Sequence, residues 1–216
     1  MRIGIDIDDT IADAYNLMFN LAQKFDIEYL KKDGNISESN ENKGFYIGQI
    51  HKWNKEETEK FFEIYYKYAL ENVKPKMFSS AIINKLKKEG NQIIIISSRF
   101  NTKTVLNINE ITKRWLNDHN IYYDKIYTEV VNKLDIIKKE KIDIMIDDDY
   151  YVCSQVSNYG KQAFLMNLES NRDKKVDDNV IRIFSWIQLY KKIKSMEWKN
   201  CGSIYFRFKK KCYREI

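Results

Sequence analysis

Residues 3–10 read Ile-Gly-Ile-Asp-Ile-Asp-Asp-Thr, a short apolar run that ends in three carboxylates, Asp6, Asp8 and Asp9. The run has the pattern of a buried strand. Acidic side chains are costly to gather unless a cation or a reaction needs them. At the end of a parallel strand they stand where open α/β sheets place their ligands. A second cluster, Asp147-Asp148-Asp149, closes another apolar run over 142–146. Two strand ends that each carry carboxylates suggest one shared cation.

Reading outward from these clusters, the chain alternates. Strands are expected over 2–7, 92–96, within 121–128, and over 142–146 and 162–166. Helices are expected over 10–25, from an Asn54 cap to about 71, from a Ser79 or Ser80 cap to Gly90, and over 103–119, 132–140, 150–159 and 180–193. This βαβα rhythm predicts a doubly wound, Rossmann-like parallel sheet with helices on both faces. The stretch from about 15 to 76 breaks the rhythm and holds no convincing strand. It reads as a helical insertion, giving a core of 1–14 with 77–195, an insertion over 15–76 and a basic, aromatic extension over 196–216.

With 216 residues, 44% of them hydrophobic and 15 Tyr with 11 Phe, the chain can bury a substantial core. Its net charge of +6 permits anionic substrates without calling for nucleic acid. Cys153, Cys201 and Cys212 lack the spacing of a zinc site and read as reduced thiols, which predicts a cytoplasmic protein. No signal peptide or bilayer-length apolar run is expected. In the tail, the alternation over 204–208 suggests an edge strand or a contact in a homo-oligomer, with solubility as the plainer role for its charges.

Four polar stops follow or open the elements in order: Asp6-Ile7-Asp8-Asp9-Thr10, then Ser97-Ser98-Arg99, then Asn132-Lys133, then Asp147-Asp148. All four can converge at one sheet edge. They would supply a carboxylate nucleophile, a hydroxyl donor, a fixed cation and carboxylates for a hard metal. That is equipment for phosphoryl transfer, whose equatorial oxygens carry spread negative charge.

This set resembles the four motifs of the haloacid dehalogenase (HAD) phosphatase superfamily, and the insertion resembles that family's small cap. Within it, GIDIDDTI at the start, Ser-Ser-Arg after the second strand and IDIMIDDD late in the chain are most similar to the 5'(3')-deoxyribonucleotidase-like group. The resemblance spans residues 1 to about 195. It implies Asp6 as nucleophile and Asp8 as general acid and base, with the Asp8 carbonyl also on a metal. It further implies Ser97 as a donor to a phosphoryl oxygen, Lys133 as the neutralising cation, and Mg²⁺ held by Asp6 and Asp148 with Asp147 beside or sharing that duty. Thr10 would hold the loop near the substrate, with Ser98 and Arg99 as further substrate contacts. The expected partner is a small phosphorylated substrate, a (deoxy)ribonucleoside monophosphate by resemblance or another ester such as a sugar phosphate.

Plainer readings stand beside these. Asp9 and Thr10 suit a helix cap as well as a site. Arg99 either binds phosphate or pairs with a surface acid. Asp143 and Asp149 read as solvent-facing. His51 and His119 have no partner at ligand spacing and read as structural. Phe45, Tyr46 or Trp53 could stack on a base, while Phe61, Phe62, Tyr65, Tyr66 and Tyr68 read as packing for the insertion. A phospho-acceptor module and a catalytically retired family member are the non-enzymatic alternatives.

Overall fold

The computed structural model describes residues 1–33 and 47–197. Six strands form one all-parallel sheet: β1 (Arg2–Ile5), β2 (Gln92–Ile96), β3 (Lys125–Tyr127), β4 (Ile144–Asp147), β5 (Gln162–Met166) and β6 (Val180–Ile183). Their order is β3-β2-β1-β4-β5-β6. The chain steps outward from β1 to β3, then returns to lay β4 on the other side of β1. The reversal falls between β1 and β4, where such sheets open a ligand crevice.

Residues of odd and even number alternate between the two faces. Ile3, Ile5, Ile93, Ile95, Ile144 and Ile146 pack one core, while Ile94, Ile96, Met145, Ala163 and Leu165 pack the other. Helices cover both: α4 (Ser79–Lys88), α5 (Ile108–Asp118) and α8 (186–197) on the first, α6 (Lys133–Glu140) and α7 (Tyr150–Asn158) on the second. This double burial explains the unbroken Ile runs. Gly4 sits where a Cβ would stand 2.8 Å from the Met145 sulfur, so the β1–β4 packing leaves no room for a larger residue.

Between β1 and α4 run α1 (Ala14–Glu28), α2 (Ile47–Ile50) and α3 (Lys55–Asn72). They share a separate apolar cluster of Leu21, Ala22, Phe25, Ile47, Trp53, Phe61 and Ala69. The expected Asn54 cap is present as a full capping box with Glu57. Inside the cluster Asp26 accepts hydrogen bonds from His51 Nδ1 and Trp53 Nε1, each at 2.5 Å. Phe61 packs in this cluster while Tyr66 packs against Leu70, Val105 and Ile108, and Tyr68 is exposed.

Several boundaries differ from expectation: β1 ends at Ile5 instead of 7, β4 spans Ile144–Asp147, α1 runs on to Glu28, and four further differences have a local reason. The helix expected from residue 10 begins at Ala14. The Ile7 carbonyl accepts from the N–H groups of Thr10, Ile11 and Ala12, Asp9 turns the chain at φ 57°, and Ala12 bridges to Pro75. For α4 the cap position is Phe78 at φ 65°, and the Ser79 hydroxyl is buried without a partner. The helix expected from 103 begins at Ile108, because Asn101 turns inward to accept from the Ile108 N–H. The helix expected over 180–193 is overturned. Val180 to Ile183 form strand β6, and a new helix follows once the Ser185 hydroxyl accepts the Gln188 N–H. Val180 and Ile183 are buried, Ile181 and Arg182 are half-buried, and all four lie in register against β5, so this segment completes the sheet instead of opening a helix. Phe45, Tyr46 and the extension over 198–216 lie outside the described residues. Among the described residues, no helix is long and apolar enough to cross a membrane.

Candidate active site

Strand pairing brings the two acid clusters together. Ile5 of β1 lies opposite Ile146 of β4, and the Asp6 N–H donates to the Ile146 carbonyl at 3.0 Å. Asp6, Asp147 and Asp148 therefore emerge side by side at the crevice. One carboxylate oxygen from each lies within 4.8 Å of the others, and all three residues are buried.

Lys133 joins this cluster from the first turn of α6, whose cap is Asn132. Its Nζ donates to Asp6 Oδ1 at 2.7 Å and to Asp147 Oδ2 at 2.8 Å. Burial alone would lower the Lys133 pKa, but Asp147 and Asp6 outweigh it and hold the ammonium charged. One ammonium against three carboxylates leaves two negative charges. Burial, with Asp147 and Asp8 nearby, pushes Asp6 up to about 7 against the pull of Lys133. Burial with Asp6, Asp147 and Asp9 drives Asp148 well above the usual carboxylate range. A buried set short of two positive charges fits a divalent cation, and hard oxygen ligands fit magnesium.

The individual bonds separate the two late acids. Asp147 spends Oδ2 on Lys133 and Oδ1 on the Asp149 N–H. Asp148 receives the Thr10 hydroxyl at Oδ1, 3.1 Å away, and the residue lines the cavity. Its backbone carbonyl accepts from Asn171 Nδ2 at 2.8 Å, and Arg182 of β6 donates to Asn171 Oδ1 at 2.6 Å. The Trp186 indole N–H donates to the Thr10 carbonyl at 3.1 Å. Asn171, Arg182 and Trp186 were not legible as site supports. Nothing in their local pattern links them to residues 10 and 148.

Asp8 follows the same loop, with its side chain 41% exposed. Arg99 Nε reaches its Oδ2 at 2.8 Å and Arg99 Nη2 its Oδ1 at 2.7 Å. Of the two readings for Arg99, it pairs with an acid, but a site acid rather than a surface one. Ser97 is fully buried, and its Oγ accepts from the Arg99 N–H at 3.2 Å, so its own proton remains to be donated. Ser98 lines the cavity, yet its hydroxyl donates to the Val130 carbonyl at 2.8 Å. Asp9 accepts the Tyr15 N–H of the first turn of α1 at 2.8 Å, although the cap position itself is Asp13, and Thr10 binds Asp148. Asp149 caps α7 through the Tyr151 N–H. His119 packs on Trp115 and bonds its carbonyl. Trp53 is enclosed in the α1–α3 cluster and presents no open face for stacking.

Asp6, Asp8, Lys133, Asp147 and Asp148 all line one open cavity of about 600 Å³. No family model and no curated protein matches the sequence. Solved structures do match. A haloacid dehalogenase-like family hydrolase from Streptococcus pneumoniae is 14% identical with a TM-score of 0.59, over 89% of this chain and 97% of that one. A predicted phosphatase from Clostridium acetobutylicum is 15% identical with a TM-score of 0.59, over 90% and 98%. The CbbY protein of Rhodobacter sphaeroides, solved with xylulose 1,5-bisphosphate, is 11% identical with a TM-score of 0.58, over 86% and 94%. At these identities the likeness establishes the fold: the chain adopts the HAD-like α/β architecture.

Proposed function

We propose that this protein is a Mg²⁺-dependent phosphomonoester hydrolase working through an aspartyl-phosphate on Asp6. The observation that carries this reading is the Lys133 ammonium bridging Asp6 and Asp147 beside Asp148, a charge set that lacks two positive charges. Asp6, Asp148 and the Asp8 carbonyl would hold the magnesium, with Asp147 fixed behind them by Lys133. When bound, it would offset charge on the phosphoryl oxygens.

The chain's own groups account for the rest. A carboxylate oxygen of Asp6 attacks phosphorus, the bond to the ester oxygen breaks, and Asp8 gives that oxygen its proton. Water then attacks the aspartyl-phosphate phosphorus, Asp8 takes the water proton, and inorganic phosphate leaves with Asp6 restored. Ser97 has a hydroxyl proton free for a phosphoryl oxygen. Lys133 opposes the effect of burial on Asp6, favouring its ionised form, and holds the nucleophile in place.

The motif resemblance favours a (deoxy)ribonucleoside monophosphate as substrate. The neighbours' names favour other small phosphate esters, a pentulose bisphosphate among them. The test is release of phosphate from p-nitrophenyl phosphate with Mg²⁺ and with EDTA. Turnover that needs Mg²⁺ and disappears in Asp6→Asn supports the reading. Metal-independent turnover, or full activity in Asp6→Asn, overturns it.

A further inference from the structure

A second cavity, about 180 Å³, shares Asp8 with the first and lies between the inserted helices and the sheet. Its walls include Ala14 and Leu17 of α1, and Tyr66, Leu70 and Val73 at and beside the end of α3. The polar part of the wall is the Asp8–Arg99 pair together with Tyr66, whose hydroxyl lies near both and bonds the Phe100 backbone. Each Asp8 oxygen accepts one bond, from Arg99 Nε or Nη2, so the guanidinium fixes the carboxyl and leaves each oxygen a further lone pair. Arg99 Nη1 alone is buried without an acceptor.

We infer that this cavity receives the organic group of the phosphoester, and that the group is small and mainly apolar, about one six-membered ring in size. The inference rests on the hydrolase reading. Asp8 is the residue that would protonate the ester oxygen, so that oxygen must lie at the wall common to both cavities. The phosphoryl group belongs on the side of Asp6 and Lys133, which leaves the carbon side of the ester to the second cavity. Size and polarity then select. A cavity of roughly 150 Å³ lined by apolar side chains holds benzene, so 180 Å³ suits a ring of that size or a short branched chain. A nucleoside adds a sugar to the ring, and most of its hydroxyl and amide groups would meet mainly apolar walls that leave them unpartnered. A sugar phosphate fails on polarity in the same way. A phenol, or an alcohol of similar size with one acceptor to spare for Arg99, meets both limits.

The experiment compares kcat/KM for phenyl phosphate, acetyl phosphate, uridine 5'-monophosphate and ribose 5-phosphate, all with Mg²⁺. Phenyl phosphate should exceed the nucleotide and the sugar phosphate by about tenfold or more, the scale set by a misfitting group in an apolar pocket. In Ala14→Leu, which fills the cavity, the phenyl-to-acetyl ratio should fall about tenfold. Leu17→Ala enlarges the same space and should raise the ratio of 1-naphthyl to phenyl phosphate, which keeps the test open if the first variant misfolds. Acetyl phosphate hydrolysis together with a preference for the nucleotide, or ratios unmoved in both variants, overturns the cavity assignment and leaves the hydrolase standing. Failure to turn over any of the four phosphates overturns both.

Discussion

Arg99 grips both carboxylate oxygens of Asp8 through Nε and Nη2, at 2.8 and 2.7 Å, across 91 residues of sequence. The guanidinium is nearly inaccessible and lies over the Trp115 ring at 5.5 Å, so its own position is set by the core. Asp8 sits on a loop, and this fork orients it. Lysine offers one point donor and cannot reproduce a fork. Arg99→Lys should therefore retain the fold but lower kcat toward p-nitrophenyl phosphate by about 10²-fold, the cost of misplacing a reacting group by an ångström. Circular dichroism with steady-state kinetics checks this, and an unchanged kcat would remove Arg99 from the site.

Lys133 is the positive charge among three buried acids. Its replacement by Met should lower kcat by about 10²–10³-fold, as for loss of a preorganised stabilising group. It should also destabilise the metal-free protein by about 3–5 kcal/mol, the cost of leaving buried charges uncompensated. Steady-state kinetics measure the first and denaturant melts in EDTA the second, and equal stability of the unaltered protein in EDTA and in Mg²⁺ would count against a cation site.

In chelator, stability should fall as pH rises from about 4 to about 7. Burial raises Asp6 from 3.8 to about 7 and Asp9 to about 6, so the native state holds more protons than the unfolded chain in that window. The slope of unfolding free energy with pH is then negative. Glu57, Glu89, Asp124 and Glu140 are lowered by their partners and act with the opposite sign, at pH values below their ordinary range. Saturating Mg²⁺ should flatten the slope, because it holds the site carboxylates ionised in the native state. Thermal melts across pH 5–7 in EDTA and Mg²⁺ would show it.

Asn171 donates to the Asp148 carbonyl and to the Met166 carbonyl, and is itself held by Arg182. Asn171→Ala should weaken the apparent affinity for Mg²⁺ by about tenfold, as outer supports of a metal ligand typically do, with a smaller change in kcat at saturating metal. Titrating Mg²⁺ in the activity assay separates the two.

Asp26 accepts two buried hydrogen bonds inside the helical insertion. Asp26→Ala should cost about 3 kcal/mol, since bonds to a charged acceptor contribute about 1.5–3 kcal/mol each. Urea denaturation followed by tryptophan fluorescence reports the loss.

The alternating pattern and the acid-bearing strand ends made the parallel sheet, and the meeting of most groups of the candidate site, legible from the chain alone. Each of those features is local: apolar runs with both faces covered, and carboxylates stopping them at Asp6 and Asp147. The same locality sets the limit. Only the Ser185 hydroxyl on the Gln188 N–H separates β6 from the helix after it, and the return of the Ile7 carbonyl to three N–H groups has no sequence signature.

What the order of residues determined by itself was which chemical groups this protein owns and that they end strands. Only the tertiary structure decided which of them meet. The reversal of strand order beside β1 sets Asp6 against Asp147 and Asp148, and long-range packing assigns Arg99 to Asp8, Thr10 and Asn171 to Asp148, and Trp53 to the interior of the insertion. Such pairings depend on side chains scores of residues apart arriving at one point, and periodicity carries no information at that range.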